Sequence, residues 1–164
     1  MRQETTPRAL VSLGGLFLVD GEGEALQRLG SFEECNLPVI FGLRRELLDT
    51  DPHRARTLLA RAVSLIGAAE RGGLNEVLPL CEVHLAVDGR DVLVLENGTR
   101  VHLPRQAPLA ALEKLGEVLG REIAQRDELP RVVHLAAGGP TTETTVRTTH
   151  DRGRVTENNP TGSG

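Results

Sequence analysis

The chain has 164 residues, of which 39% are hydrophobic and 26% are charged, ordinary proportions for a soluble globular protein. This length suits one domain with an appended tail, or two very small units. The formal net charge of −4 argues against binding to a nucleic-acid backbone. The aromatic content of 2%, with no Trp or Tyr, argues against a stacking surface for single-stranded nucleic acid. It also means that the core must be built from aliphatic side chains.

No segment is predicted to cross a membrane or to direct export. The longest apolar run, Ala9–Val19, is interrupted by Ser12 and is far shorter than the roughly 20 residues that span a bilayer. It also lacks the basic start and the cleavage site of a signal peptide. The chain by itself therefore carries no visible export signal or transmembrane helix.

The first third of the chain is predicted to form a β-hairpin followed by loops. Residues 1–7 are predicted to be a frayed N-terminus. Arg8–Leu13 and Leu16–Val19 are β-prone runs, and the Gly14-Gly15 pair between them is typical of a tight turn. Leu37–Ile40 is a further short apolar piece that is predicted to be extended.

Two amphipathic helices are predicted. The first begins at Asp51-Pro52, with Asp as the N-cap and Pro at the first helical position, and it ends at Gly72-Gly73. The second spans Pro108–Arg126. The apolar residues that recur at helical spacing are Ala55, Leu58, Leu59, Ala62, Val63, Ile66 and Ala69 in the first helix, and Leu109, Leu112, Leu115, Leu119 and Ile123 in the second. Such a stripe is usually the face that packs against a sheet.

The stretch between the helices, Asp88–Leu103, predicts the centre of a sheet. Asn97-Gly98 favours a tight hairpin turn, because both residues tolerate positive φ. Asp88-Gly89 marks a second reversal, which joins Cys81–Val87 to the same ladder. The result is three antiparallel strands with apolar residues at alternating positions on one buried face: Val83, Leu85, Leu93, Leu95, Val101 and Leu103.

The end of the chain is predicted to be one last strand and a tail. Arg131–Ala136 is the strand, with Val133 and Leu135 on one face. Gly138–Gly164 is rich in Thr, Gly and Asn, and we expect it to be disordered because it cannot bury enough apolar surface to offset chain entropy. The predicted fold is α+β: a mainly antiparallel β-sheet with two helices packed on one face, in a domain over residues 8–137.

The order of these elements and the residues at their turns resemble the C-terminal β domain of the FtsQ/DivIB cell division family. The matching motifs are Glu4-x-x-Pro7-x-Ala9, Leu18-Val19-Asp20-x-x-Gly23, Leu37-Pro38-Val39-Ile40-x-Gly42-Leu43, and the hairpin Leu93-Val94-Leu95-Glu96-Asn97-Gly98. The helix Pro108–Arg126 and the strand Arg131–Ala136 complete the resemblance.

The resemblance implies a scaffold protein without catalytic activity or cofactor. Proteins of this family carry one transmembrane helix and a POTRA domain ahead of the β domain, which lies on the extracytoplasmic face of the inner membrane. They recruit other divisome proteins, notably FtsB and FtsL, to the septum. This sequence begins where the POTRA domain would end, so we expect that it is a fragment or that its start has been set too far downstream.

The resemblance also implies a docking site on the last strand. If Arg131–Ala136 lies at the edge of the sheet, it exposes unpaired N–H and C=O groups that can accept a strand from another chain. The partner-binding residues would then be Arg131, Val132, Val133, His134, Leu135 and Ala136. The aromatic residues that surround this site in the family have no counterpart here. The alternative is that this strand is an edge that the tail merely shields.

The alternative to a scaffold is a small enzyme or metal-binding domain that uses histidine and cysteine side chains. His84, His102 and His134 alternate with inward-facing residues and are predicted to lie on one outward face, as a zinc site would require, but solvent-facing strand residues explain them equally well. Cys81 is interpreted as a small buried hydrophobic residue rather than a nucleophile, because no third residue orients a base. Cys35 and Cys81 lack metal spacing; a disulfide is compatible with the sequence, but two independent thiols are favoured.

Overall fold

A computed structural model describes residues 6–30, 36–126, 131–136 and 145–149, and these form one sheet and its helical cover. The strands are β1 Pro7–Ser12, β2 Leu16–Asp20, β3 Ala25–Arg28, β4 Val39–Phe41, β5 Leu80–His84, β6 Val92–Leu95, β7 Arg100–His102, β8 Val132–Ala136 and β9 Thr145–Thr149. The helices are α1 Arg45–Thr50, α2 Pro52–Arg71, α3 Leu74–Val77 and α4 Pro108–Arg126. The α+β class predicted from the sequence is confirmed.

The sheet is mainly antiparallel, as predicted, but it is mixed rather than purely antiparallel. Its strand order over the described residues is β3-β2-β1-β4-β5-β6-β7-β8-β9. The pairs β1·β2, β2·β3, β5·β6, β6·β7 and β8·β9 are antiparallel, whereas β1·β4, β4·β5 and β7·β8 are parallel. The last two parallel pairs are the ones joined through helices, because a parallel connection must carry the chain back along the sheet.

The predicted hairpins are confirmed. Gly14 lies in the β1–β2 turn with φ of +79°, and Gly98 lies in the β6–β7 turn with φ of +91°. In the second turn, the backbone N–H of Thr99 donates to Asn97 Oδ1 at 3.1 Å. Asp88-Gly89 lies in the β5–β6 reversal, as predicted. The turn chemistry therefore fixes the register of the three central strands.

Both long helices have the predicted starts, and two short helices were not predicted. Asp51 Oδ1 accepts from the backbone N–H of Arg54 at 3.1 Å, and Pro52 is the first residue of α2. The sequence analysis missed α1 and α3, which have six and four residues. Neither is long enough to show a repeating apolar stripe, and α1 buries none of its residues.

Alternating strand residues point into one aliphatic core under α2 and α4. Ile40, Val83, Leu93, Val101 and Val133 lie on five neighbouring strands and are all 0% exposed. Their helix partners are buried to the same degree: Leu59, Ala62, Leu65, Ile66, Leu112, Leu115 and Leu119. The other strand residues lie on the opposite face of the sheet, here called the open face, and many of them are half-buried.

The turn that follows β5 is attached to α2 by an ion pair that sequence analysis did not find. Asp91 is 4% exposed and accepts from Arg61 Nη2 at 2.9 Å. It also accepts from the backbone N–H of Ala86 at 2.8 Å. Because the carboxylate is buried and accepts two hydrogen bonds, it fixes the β5–β6 reversal against the helix.

The structure corrects two expectations about the end of the chain. Thr145–Thr149 forms β9, although Gly138–Gly164 was expected to be disordered throughout. As a consequence Arg131–Ala136 does not lie at the edge, because β8 has β7 on one side and β9 on the other. The other residues of the predicted tail lie outside the described residues. At the opposite end, β1 begins at Pro7, within the segment expected to be frayed.

Candidate functional site

The candidate docking strand β8 is held in place by its buried side chains. Val133 is 0% and Leu135 is 5% exposed, and both belong to the core beneath the helices. On the open face, Val132 is half-buried and His134 is exposed. Arg131 precedes the strand and is also exposed. One face of the strand is therefore packed in the core, and the other lies on the open face of the sheet.

The backbone groups of β8 divide into two sets that face opposite neighbours. The backbone N–H of Arg100 in β7 donates to the carbonyl of Arg131 at 2.9 Å. Because successive residues of a strand direct their N–H and C=O groups to opposite sides, the groups of Val133 and Leu135 also face β7. Those of Val132, His134 and Ala136 face away from β7. We call this second side the docking edge.

The docking edge is occupied by β9 in this structure. The antiparallel register pairs Val132 with Thr149, Val133 with Thr148, His134 with Arg147, Leu135 with Val146 and Ala136 with Thr145. The pairing extends over the full length of β8. One strand of the same chain therefore lies where a partner strand was expected to add.

The three histidines singled out from the sequence do lie on one face, as predicted. A cross-strand row on the open face consists of Phe41, His84, Val92, His102 and His134, each paired in register with the next. The rings of His102 and His134 stack with centroids 4.7 Å apart, and those of Phe41 and His84 stack at 4.9 Å. Val92 separates His84 from the stacked pair. His134 is the member of this row that lies on the candidate docking strand, and it is paired in register with Arg147 of β9.

One member of the stacked pair, His102, has a shifted pKa. The pKa of His102 is lowered from its ordinary value, first by burial, then by the neighbouring His134 and by Arg100. All three causes disfavour the imidazolium form. Elsewhere in the row, His84 Nε2 lies 2.7 Å from Glu82 Oε1.

This shift predicts that acidification destabilises the fold through His102. Since the folded state lowers the pKa, the unfolded chain binds the proton more readily, and stability is lost as the pH falls through about 6.5. We expect the free energy of unfolding to decrease more steeply between about pH 7.5 and pH 5 in the native chain than in a His102→Gln variant. Urea titrations at several pH values measure this difference. Parallel pH profiles for the two proteins would contradict it.

The chemistry around Cys81 does not favour a nucleophile. The pKa of this thiol is raised by burial and by the negative charges of Glu96 and Glu82. A reactive cysteine needs a lowered pKa, and the imidazole of His84 is engaged with Glu82. Among the described residues, no group of three His, Cys, Asp or Glu side chains is arranged to hold a metal ion. Cys35 lies outside the described residues, so the favoured interpretation of two independent thiols stays a prediction.

Comparison with known protein families decides what this fold belongs to. The family model described as "Cell division protein FtsQ/DivIB, C-terminal" matches residues 9–136. This chain belongs to the FtsQ/DivIB family. Two curated relatives named "Cell division protein FtsQ" are each 33% identical to it over 132 residues, one from Anaeromyxobacter sp. (strain K) and one from Myxococcus fulvus (strain ATCC BAA-855 / HW-1).

These relatives are longer proteins. The alignments cover 80% of this chain but only 45% and 46% of the two FtsQ sequences. The chain thus spans less than half the length of the relatives that it matches. Within the described residues, no helix combines the length and the apolar character needed to cross a membrane.

The FtsQ/DivIB match includes β8 but not β9. The match ends at Ala136, the last residue of β8, and so stops before β9 begins. Sequence analysis missed β9 because its segment has a single large apolar residue, Val146. The available signal was local: Thr145–Thr149 contains four β-branched residues among five, a composition that favours strands.

Proposed function

We propose that this domain is a scaffold module of the division machinery that binds other division proteins by strand addition at β8. The family membership supports a role in cell division. The partners would resemble FtsB and FtsL, and the module would act at the septum on the extracytoplasmic face of the inner membrane. The proposed contact residues are Arg131, Val132, Val133, His134, Leu135 and Ala136.

The observation that supports this proposal most directly is that β8 buries its inward side chains while half of its backbone groups face away from β7. Its inward side chains, Val133 and Leu135, anchor the strand in the core, so the docking edge is presented by a rigid element. The outward backbone groups of Val132, His134 and Ala136 form a ladder site that any extended chain can use. Strand addition obtains affinity from such groups and specificity from alternating side chains.

The side chains beside the docking edge suggest how a partner is selected. Val132 and His134 lie on the open face next to the ladder, and His134 is supported by its stack on His102. Val132 offers an aliphatic side chain and His134 an imidazole, so anchoring of the partner by side chains is modest. The main-chain hydrogen bonds would supply most of the affinity. We propose no catalytic activity, because the raised pKa of Cys81 and the engaged His84 support no nucleophile–base pair.

The test is a pair of variants at His134. His134→Pro removes a donor from the docking edge and leaves the β7-facing groups intact. His134→Ala removes the same imidazole but keeps the N–H. In a chain whose Thr145–Thr149 is replaced by a Gly-Ser spacer, so that β9 does not compete for the same N–H, we expect the proline variant to bind the cognate FtsB-like segment at least about tenfold more weakly than the alanine variant, which corresponds to about 1.4 kcal/mol. Isothermal titration calorimetry measures both.

A folding control accompanies the test. Both variants should retain the circular dichroism spectrum of the native chain and protect the amides of β5–β7 from exchange, because the anchoring side chains are unchanged. Equal affinity of the two folded variants for the segment would mean that the partner docks elsewhere on the domain.

A further inference from the structure

We propose that β9 is an intramolecular competitor, which occupies the docking edge and must be displaced before a partner strand can add. This inference rests on the proposed function for the identity of the partner, but the occupancy itself is a feature of this chain. It assigns Thr145–Thr149 a regulatory role. The domain would thus exist in a closed form, with β9 on β8, and an open form that is competent to bind.

The register supports competition rather than coexistence. All five residues of β8 are paired with β9, and the outward groups of Val132, His134 and Ala136 are the same groups that an added strand requires. A strand has only two edges, and β7 holds the other one. A partner therefore cannot use the docking edge while β9 is in place.

The position of β9 in the chain makes it a displaceable occupant. It is the last strand of the described sheet, so it has a strand neighbour on one side only. The sequence of this segment, Thr145–Thr149, contains one large apolar residue. Its register pairs it with β8 along the backbone, and backbone hydrogen bonds each have a modest net value. Such a strand can be exchanged for one with better side-chain anchors.

The covalent connection between β8 and β9 explains how a weakly bound strand can still occupy the docking edge. Residues 137–144 connect β8 to β9, so the competing strand is present at an effective concentration in the millimolar range. A partner segment must compete with that concentration. If β9 holds the edge in about nine of ten molecules, the apparent affinity for the partner is lowered about tenfold. Since the family match ends at Ala136, this device lies outside the part of the chain shared with that model.

The test compares two variants of equal length. In the first, Thr145–Thr149 is replaced by a Gly-Ser spacer, which has low strand propensity. In the matched control, Glu157–Thr161 is replaced by the same spacer. Two probes are titrated into each variant and into the native chain: a synthetic peptide with the sequence of residues 143–151, and the cognate FtsB-like segment.

We expect the β9 variant to bind the 143–151 peptide at least about tenfold more tightly than the native chain and the control do. Amide exchange gives a second readout. In the β9 variant without peptide, exchange should accelerate at Val132, His134 and Ala136, while Val133 and Leu135 stay protected by β7. Equal binding of the peptide by all three proteins, or unchanged exchange at the docking edge, would overturn the proposal.

The FtsB-like segment separates this inference from the proposed function. If it binds all three proteins with the same affinity, β9 does not regulate docking and this inference fails, although the module still binds its partner. If the 143–151 peptide shows the expected difference and the FtsB-like segment binds none of the proteins, β9 does occupy the edge and the proposed partner is wrong.

Discussion

Replacing Leu95 by Asp is expected to lower the free energy of unfolding by more than about 4 kcal/mol. Leu95 lies in β6, is 1% exposed and belongs to the core cluster beneath the helices. The substitution removes a buried leucine side chain and introduces a carboxylate with no partner there. Because domains of this size are stable by only about 5–15 kcal/mol, the variant should lose a large part of its stability.

The neighbouring residue on the same strand provides the control. Val94 lies on the open face and is half-buried, so Val94→Asp can place its carboxylate in solvent. We expect a loss of about 1 kcal/mol for this variant. Urea denaturation followed by circular dichroism measures both. If the two variants had the same midpoint, the assignment of faces in β6 would be wrong.

Local patterns predicted the elements of this fold because their causes are local. The alternation in Leu93 and Leu95, the Asn97-Gly98 turn and the Asp51-Pro52 helix start each act within a few residues. Each of these predictions is confirmed by the structure. A short element such as α3 has no such signal, since four residues cannot display a helical period.

The neighbours in the sheet could not be predicted in the same way. The pairing of β1 with β4, and of β7 with β8, joins segments that are distant in sequence, and each pair is decided by how the connecting chain covers the sheet. For the same reason the alternation placed His102 and His134 on one face but did not predict that their rings stack. The ion pair of Arg61 with Asp91 joins residues 30 apart, and no local pattern indicates it.

The candidate docking strand β8 was predicted in part: its inward residues were predicted, but its neighbour β9 was not. Its existence and its inward residues, Val133 and Leu135, were predicted from alternation, and both are buried. Its place in the sheet was not, because the low hydrophobicity of Thr145–Thr149 concealed β9. The segment has β-branched residues that favour a strand but only one large apolar residue, Val146. That is the property expected of a strand that covers an edge and can leave it.

Two glycines in α4 should respond in opposite directions to the same substitution. A Cβ at Gly116 would clash with the carbonyl oxygen of Gly72 and would lie 2.8 Å from the backbone N of Leu74. These are backbone atoms at the end of α2 and the start of α3, so they cannot rotate away. At Gly120 the nearest atom would be Val77 Cγ2 at 3.7 Å, an ordinary van der Waals contact.

Gly116→Ala is therefore expected to lower the free energy of unfolding by about 1–3 kcal/mol, because α4 must move away from the α2–α3 junction. Gly120→Ala should raise it by about 0.5–1 kcal/mol, since alanine favours the helix and the site has room. Both variants add one methyl group to the same helix, so their intrinsic helix propensities change equally. Thermal and urea unfolding of the pair measure the difference. Stabilisation by both substitutions would show that α4 does not approach Gly72 as closely as the structure has it.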